Sequence, residues 1–133
     1  MRYVSFVHRE NTGYGVSFPD FPGCVAVGET LDEAVRQGCE ALAFHVEGLS
    51  EDGAPIPTPR SIDAIKSDPE LADWRDGADI VLIPLLRDLG SSQRVNISLD
   101  RGLLEAIDDE ARQRRMTRSA FLATAARREI ETT

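Results

Sequence analysis

Arg94-Val95-Asn96-Ile97-Ser98-Leu99 alternates polar and apolar side chains and runs without a break into DRGLLEAIDDEARQRRMTRSAFLATAARREI, residues 100–130. The alternation puts Val95, Ile97 and Leu99 on one face of a strand and Arg94, Asn96 and Ser98 on the other. Asp100 is a good helix N-cap, and Leu103, Ile107 and Ala111 follow at i, i+4 and i+8, with Leu104 beside them. This first helix ends in Gln113-Arg114-Arg115-Met116. Thr117-Arg118-Ser119 then caps a second helix with apolar positions at Phe121, Leu122, Ala125, Ala126 and Ile130. One strand and two helices make no self-sufficient core, because a lone strand leaves both backbone edges unpaired. A second copy removes the difficulty by pairing the two strands antiparallel, which makes a ribbon narrow enough for the DNA major groove.

The outward types suit base edges, Arg with guanine, Asn with adenine and Ser with either. The N-terminus of the second helix offers free amides and a partial positive charge to a phosphate, with Thr117 or Ser119 adding a hydroxyl and Arg118 a charge. Arg94, Asn96, Ser98, Thr117, Arg118 and Ser119 are therefore the candidate DNA-binding residues. Any half-exposed antiparallel strand alternates in this way, and Thr and Ser cap helices that bind nothing. It is the strand–helix–helix order that points to DNA.

The formal net charge of −8 fits a DNA binder poorly until the chain is divided. Residues 1–90 hold 7 Lys/Arg against 16 Asp/Glu, a net of −9, whereas residues 91–133 hold 8 against 7, a net of +1. An acidic body repels phosphate and attracts a basic partner, while the tail concentrates arginine. No apolar stretch approaches the roughly 18 residues of a membrane span. The opening MRYVSFVHREN is charged within its first ten positions and is expected to be a strand and not a signal peptide. Cys24 and Cys39 lack CxxC spacing and sit among apolar residues, as buried thiols of a cytoplasmic protein do.

Within the acidic body, Tyr3–His8 and Tyr14–Phe18 alternate around Asn11-Thr12-Gly13, which reads as a hairpin. Pro19-Asp20-Phe21-Pro22-Gly23 breaks the pattern, and Cys24–Gly28 gives a third short strand. Thr30-Leu31-Asp32-Glu33 is a capping box, and Leu31, Val35, Gly38/Cys39, Leu42, Val46 and Leu49 recur at helical spacing. The alternate prolines 55, 57 and 59 favour an extended loop. Ser61–Trp74 has room for a short helix or two, with Asp68-Pro69 marking a start. Asp79–Leu86 (DIVLIPLL) is expected to be a fourth strand buried on both faces, with Pro84 placing its end or an edge position. Gly90-Ser91-Ser92 suits a hinge. The fold class is α+β, an N-terminal β-β-β-α-β domain over 1–88, a linker at 89–92, and a C-terminal strand and two helices over 93–133.

The tail resembles the ribbon-helix-helix DNA-binding family through RVNISLDRGLLEAIDDEARQRRMTRSAFLATAARREI, although the usual glycine of the interhelical turn is Arg115 here. The body resembles the HicB-type antitoxin fold, described as a partial ribonuclease-H-like sheet, through the first strand pair, FPDFPGCVAVGETLDEA (Phe18–Ala34), the amphipathic helix and the late apolar strand. The resemblance implies an antitoxin that binds a HicA-like toxin, a small basic mRNA interferase, and represses its own operon. It implies an intertwined homodimer or a tetramer, a palindromic operator, bases read by Arg94, Asn96 and Ser98, and backbone gripped at the start of the second helix.

Two other functions compete with this one. A stand-alone repressor with a ligand or metal sensor would use Cys24, Cys39, His8 or His45, but their spacing gives it no support. A metal-dependent ribonuclease needs several convergent carboxylates. The first strand, Arg2–His8, has none, and Asp20 and Glu29 lie beside turns where a structural role fits better. The sequence thus predicts no catalytic residue, cofactor, metal or membrane partner.

Overall fold

Tyr3, Val4, Ser5, Phe6 and Val7 are all buried, five in succession. Alternate residues of a strand point to opposite faces, so such a run needs cover on both sides and neighbours at both edges. The computed structural model, which describes residues 1–90 and 92–132, supplies them. Strand β1 (Arg2–Glu10) lies inside a four-stranded antiparallel sheet between β2 (Gly13–Ser17) and β4 (Asp79–Pro84), with β3 (Val25–Gly28) beyond β2 in the order β3-β2-β1-β4. The β1–β2 hairpin closes at Glu10 opposite Gly13, around the expected Asn11-Thr12 turn.

Helix α1 (Leu31–Glu51) covers one face, where Ala34, Cys39, Leu42 and Val46 pack with Tyr3, Val7, Val16, Phe18 and Ile83. Its N-terminus is capped as the sequence predicts. The Thr30 hydroxyl accepts from the Glu33 amide at 3.1 Å, and the Glu33 carboxylate accepts from the Glu29 amide at 3.4 Å. The buried stripe begins at Ala34 and not at Leu31, which is exposed. Leu31 is the first helical residue.

The other face is covered by the segment expected to hold short helices. Helix α2 (Ile62–Ser67), a 3₁₀ turn at Pro69–Leu71 and helix α3 (Ala72–Arg75) bring Ile65, Leu71 and Trp74 onto Val4 and Phe6. Trp74 meets Phe6 edge to face, and its indole N–H donates to the Ser17 hydroxyl at 2.7 Å. The proline-rich approach to α2 is fixed to the sheet by polar contacts. The Tyr3 hydroxyl donates to the Pro57 carbonyl at 2.6 Å. Arg60 donates from its backbone and its guanidinium to the Asp20 carboxylate, at 3.1 and 2.6 Å, and also reaches Asp68 at 3.1 Å.

The expectation that the fourth strand is buried on both faces is not met. β4 is an edge strand in which only Ile83 and Pro84 are buried, and Leu82 is exposed. A short apolar run looks the same at an edge as at the centre of a sheet, and here the central position belongs to β1. Pro84, with no N–H to donate, ends the ladder. Among the described residues no helix is long and apolar enough to cross a membrane.

The chain forms two compact units, Met1–Leu89 and Gly90–Thr133. Of the hinge expected at residues 90–92, Ser91 lies outside the described residues.

In the first unit, the start of α1 lies tight against Gly28 of β3, where an added Cβ would stand 2.4 Å from the Ala34 nitrogen and 2.7 Å from its Cα. Backbone cannot give way as a side chain can, so Gly28→Ala is expected to lower unfolding stability by about 2 kcal/mol. The shift of the urea midpoint at constant m-value is the measurement.

Candidate nucleic-acid interface

In the second unit, α4 (Arg101–Gln113) and α5 (Arg118–Glu131) follow residues 92–100. Both helices begin as their sequence dictates. The Asp100 carboxylate accepts from the Leu103 amide, and the Thr117 hydroxyl from the Ala120 amide, each at 3.1 Å. Residues 93–99 have no ladder partner in the single chain and are exposed throughout, so the strand expected there is not formed. Val95 is 72% exposed and Ile97 61%, values that an apolar strand face keeps only when nothing covers it. Among the described residues of this unit only Ile107 and Ala111 are buried, and α5 has no buried residue. An open groove of about 1160 Å³ lies between the 92–99 segment and the two helices, with Val95, Ile97, Leu104 and Leu122 in its walls.

The candidate residues divide into two groups. Arg94, Asn96 and Ser98 are exposed on the 93–99 segment. Thr117, Arg118 and Ser119 stand at the start of α5, with the Thr117 hydroxyl already occupied by its cap. The sequence reading missed the partner of Arg118. Its guanidinium donates from Nε and Nη2 to the two oxygens of Asp108 on α4, both at 2.9 Å. A ten-residue separation that crosses a turn has no sequence signature. Only the packing of α4 against α5 brings these two residues together. The Arg118 hydrogen bond and charge hold the Asp108 carboxyl below its ordinary value, and Asp108 in turn raises Arg118.

The interhelical turn resolves the question raised by Arg115. Its φ is +56°, the left-handed conformation that glycine adopts freely. The Arg115 amide donates to Arg112 and the Met116 amide to Ala111, at 3.1 and 2.8 Å, so α4 closes with the Schellman pair of hydrogen bonds despite the Cβ. Beside it Arg114 pairs with Glu110 at 2.9 Å and lies 5.5 Å over the Phe121 ring, a second tie between the helices.

Several of the residues that could serve catalysis or metal binding have other roles in the fold. Asp20 is buried against Arg60, and Glu29 lies at the cap of α1. His45 meets the Phe21 ring edge to face. Cys24 and Cys39 are buried and not joined in a disulfide, and burial pushes the Cys24 thiol up to about 11. No group of three or more His, Cys, Asp or Glu among the described residues is placed to hold a metal ion.

Comparison with known proteins bears on both units. The family model for the HicB-like antitoxin of bacterial toxin–antitoxin systems matches residues 3–126, nearly the whole chain. The protein belongs to this family. Its fold is similar to the crystal structure of the Burkholderia pseudomallei antitoxin HicB, with 36% identity, a TM-score of 0.56 and coverage of 95% of this chain and 96% of that one. A chain of the HicA3–HicB3 toxin–antitoxin complex matches at 29% identity and a TM-score of 0.54, over 64% of this chain and 98% of its own length. In sequence the antitoxin is also 36% identical over 108 residues to an uncharacterised 14.9 kDa protein of Haemophilus phage HP1, covering 81% of this chain and 80% of that protein.

Two measurements test the local chemistry of this HicB-like tail. Arg115→Gly removes a Cβ from a left-handed position and is expected to stabilise the protein by about 1 kcal/mol, read as a rise in Tm. Because Asp108 titrates lower folded than unfolded, its tie to Arg118 is complete above the ordinary carboxylate value of 3.8 and is lost as pH falls through the lower folded value. A carboxyl-carbon NMR titration should place the Asp108 midpoint below 3.8, and Arg118→Ala should raise it.

Proposed function

We propose that this antitoxin neutralises a small basic mRNA-cleaving toxin through the unit that begins at Met1, and represses its own operon through a homodimer of its C-terminal unit. The observation that carries the proposal is the uncovered apolar face of Val95, Ile97 and Leu99 on a segment with no ladder partner. Antiparallel pairing with the same segment of a second protomer would satisfy the open backbone groups and bury that face. Each such side chain, fully buried, contributes about 1.5–3 kcal/mol. Arg94, Asn96 and Ser98 then face outward from the ribbon to base edges, and the capped start of α5, with Thr117, Arg118 and Ser119, meets backbone phosphate. The two-fold symmetry of such a dimer calls for a palindromic operator, and pairing of dimers gives a tetramer.

The toxin half of the proposal draws on the charge division of the sequence, −9 over residues 1–90, and on the toxin–antitoxin complex among the similar structures. Acidic protein surface laid over the nucleic-acid surface of a basic ribonuclease would exclude messenger RNA. On this reading the chain is a binding protein of the cytoplasm, with no chemistry of its own.

Four measurements test the two halves. Sedimentation of the full chain should give an even number of protomers, and the complex with the toxin should not cleave RNA. Arg94→Ala is expected to cost about 1–3 kcal/mol on the operator and to relax base preference. Arg118→Ala should weaken operator and random DNA alike and lower the salt slope by about one, while Asp108→Asn, which frees Arg118, should strengthen both. A monomeric chain, or equal losses on operator and random DNA for Arg94→Ala, sinks the DNA half. Full RNA cleavage in the complex sinks the other.

A further inference from the structure

Phe44 is 82% exposed, more than any other large apolar side chain among the described residues. It stands on the face of α1 turned away from the sheet, where the fold has no use for an aromatic ring. Helical spacing sets Glu40 four residues before it, Glu47 three after and Glu51 seven after, with Ala41 and Gly48 as its small neighbours. Glu40, Glu47 and Glu51 are exposed, and none is ion-paired among the described residues. Over its length α1 carries five acidic residues against Arg36.

Gly48 is the second unexplained residue on this face. Glycine is among the poorest helix formers, yet Gly48 lies inside α1. A Cβ added there would meet nothing within 4 Å, so the packing of this chain does not require a bare backbone at that position. Next to an exposed ring, a missing side chain lets another surface come close to the helix.

We infer that the outer face of α1, centred on Phe44 and Gly48 and ringed by Glu40, Glu47 and Glu51, is the docking surface for a basic protein partner. Phe44 enters an apolar pocket of that partner, and the carboxylates face its lysines and arginines. An aromatic anchor encircled by charges is the arrangement in which a few residues supply most of the binding energy. A second copy of this chain does not suit the face, since an isologous contact would set its carboxylates against their own copies. The occupant is the toxin, and in this the inference rests on the function proposed above.

The test uses the full-length antitoxin and the purified basic protein encoded beside it, with binding measured by calorimetry and stopped flow. Phe44→Ala should raise Kd at least tenfold while leaving Tm and operator binding unchanged, because the ring is exposed and lies outside the C-terminal unit. Reversal of Glu40, Glu47 and Glu51 to Lys should slow association at least tenfold at low salt, and the difference should vanish near 0.5 M salt. Gly48→Ala should raise Tm and yet weaken toxin binding, a combination that a purely structural role does not produce. If the wild type binds and the Phe44 and charge-reversal variants bind within twofold of it, the docking surface is wrong and the antitoxin reading survives. A Phe44→Ala variant that keeps full toxin binding but falls to a lower oligomeric state would assign the face to a second copy, which also overturns the inference. If the wild type does not bind the toxin at all, the proposed function falls and the docking surface with it.

Discussion

A buried strand must have both backbone edges paired and both faces covered, and the two halves of this chain differ in how far they meet that demand. In the first unit β1 meets it completely, with β2 and β4 at its edges, α1 on one face and the α2–α3 segment on the other. In the second unit the 93–99 segment meets none of it. Its apolar side chains are exposed, its backbone has no ladder, and the helices behind it bury only Ile107 and Ala111 among the described residues. Packing of that kind does not outweigh the entropy of ordering a segment. If a second chain completes this unit, as proposed above, folding, assembly and DNA binding become one coupled equilibrium, dependent on protomer concentration.

Charge is divided along the same boundary. The body holds a net of −9 and the tail +1, so attraction for phosphate has to come from the tail. Even there arginines are not all free. Arg118, Arg114 and Arg112 are paired with Asp108, Glu110 and Asp109. Only the Arg118–Asp108 pair crosses from α5 to α4, whereas the other two lie along α4 and its C-cap. The cost of these pairs is a weaker positive field at the tail.

The acidic body is held rigid by polar contacts that bridge distant stretches of chain. Asp20, in the break between β2 and β3, anchors Arg60, which also reaches Asp68 at the end of α2. Tyr3 on β1 donates to Pro57, and the buried Ser5 hydroxyl is satisfied by the Val81 carbonyl at 2.7 Å. No described buried side-chain polar atom lacks a hydrogen-bond partner. A loop so attached presents a fixed surface, which lowers the entropic cost of docking a partner.

The local features were legible in the sequence because each depends on residues close in the chain. The caps at Thr30, Asp100 and Thr117, the Asn11-Thr12 turn, the start at Asp68-Pro69 and the α1 stripe from Val35 onward all follow from spacing and hydrogen-bonding capacity within a turn or two. What the sequence left open depended on which distant segments meet. Pro84 left the edge position of DIVLIPLL as one of two readings, and the apolar run could not decide it, since such a run is the same whichever strand lies at the centre. Arg115 could not be assigned its left-handed φ, because the hydrogen bonds of its neighbours and the packing of α4 on α5 impose it. The Asp108–Arg118 pair and the exposure of Phe44 exist only once helices are set on one another and on the sheet. The sequence alone determined where elements begin, which side chains share a face and how charge is distributed. The tertiary structure decided which faces are covered, because burial and pairing are properties of segments brought together from far along the chain.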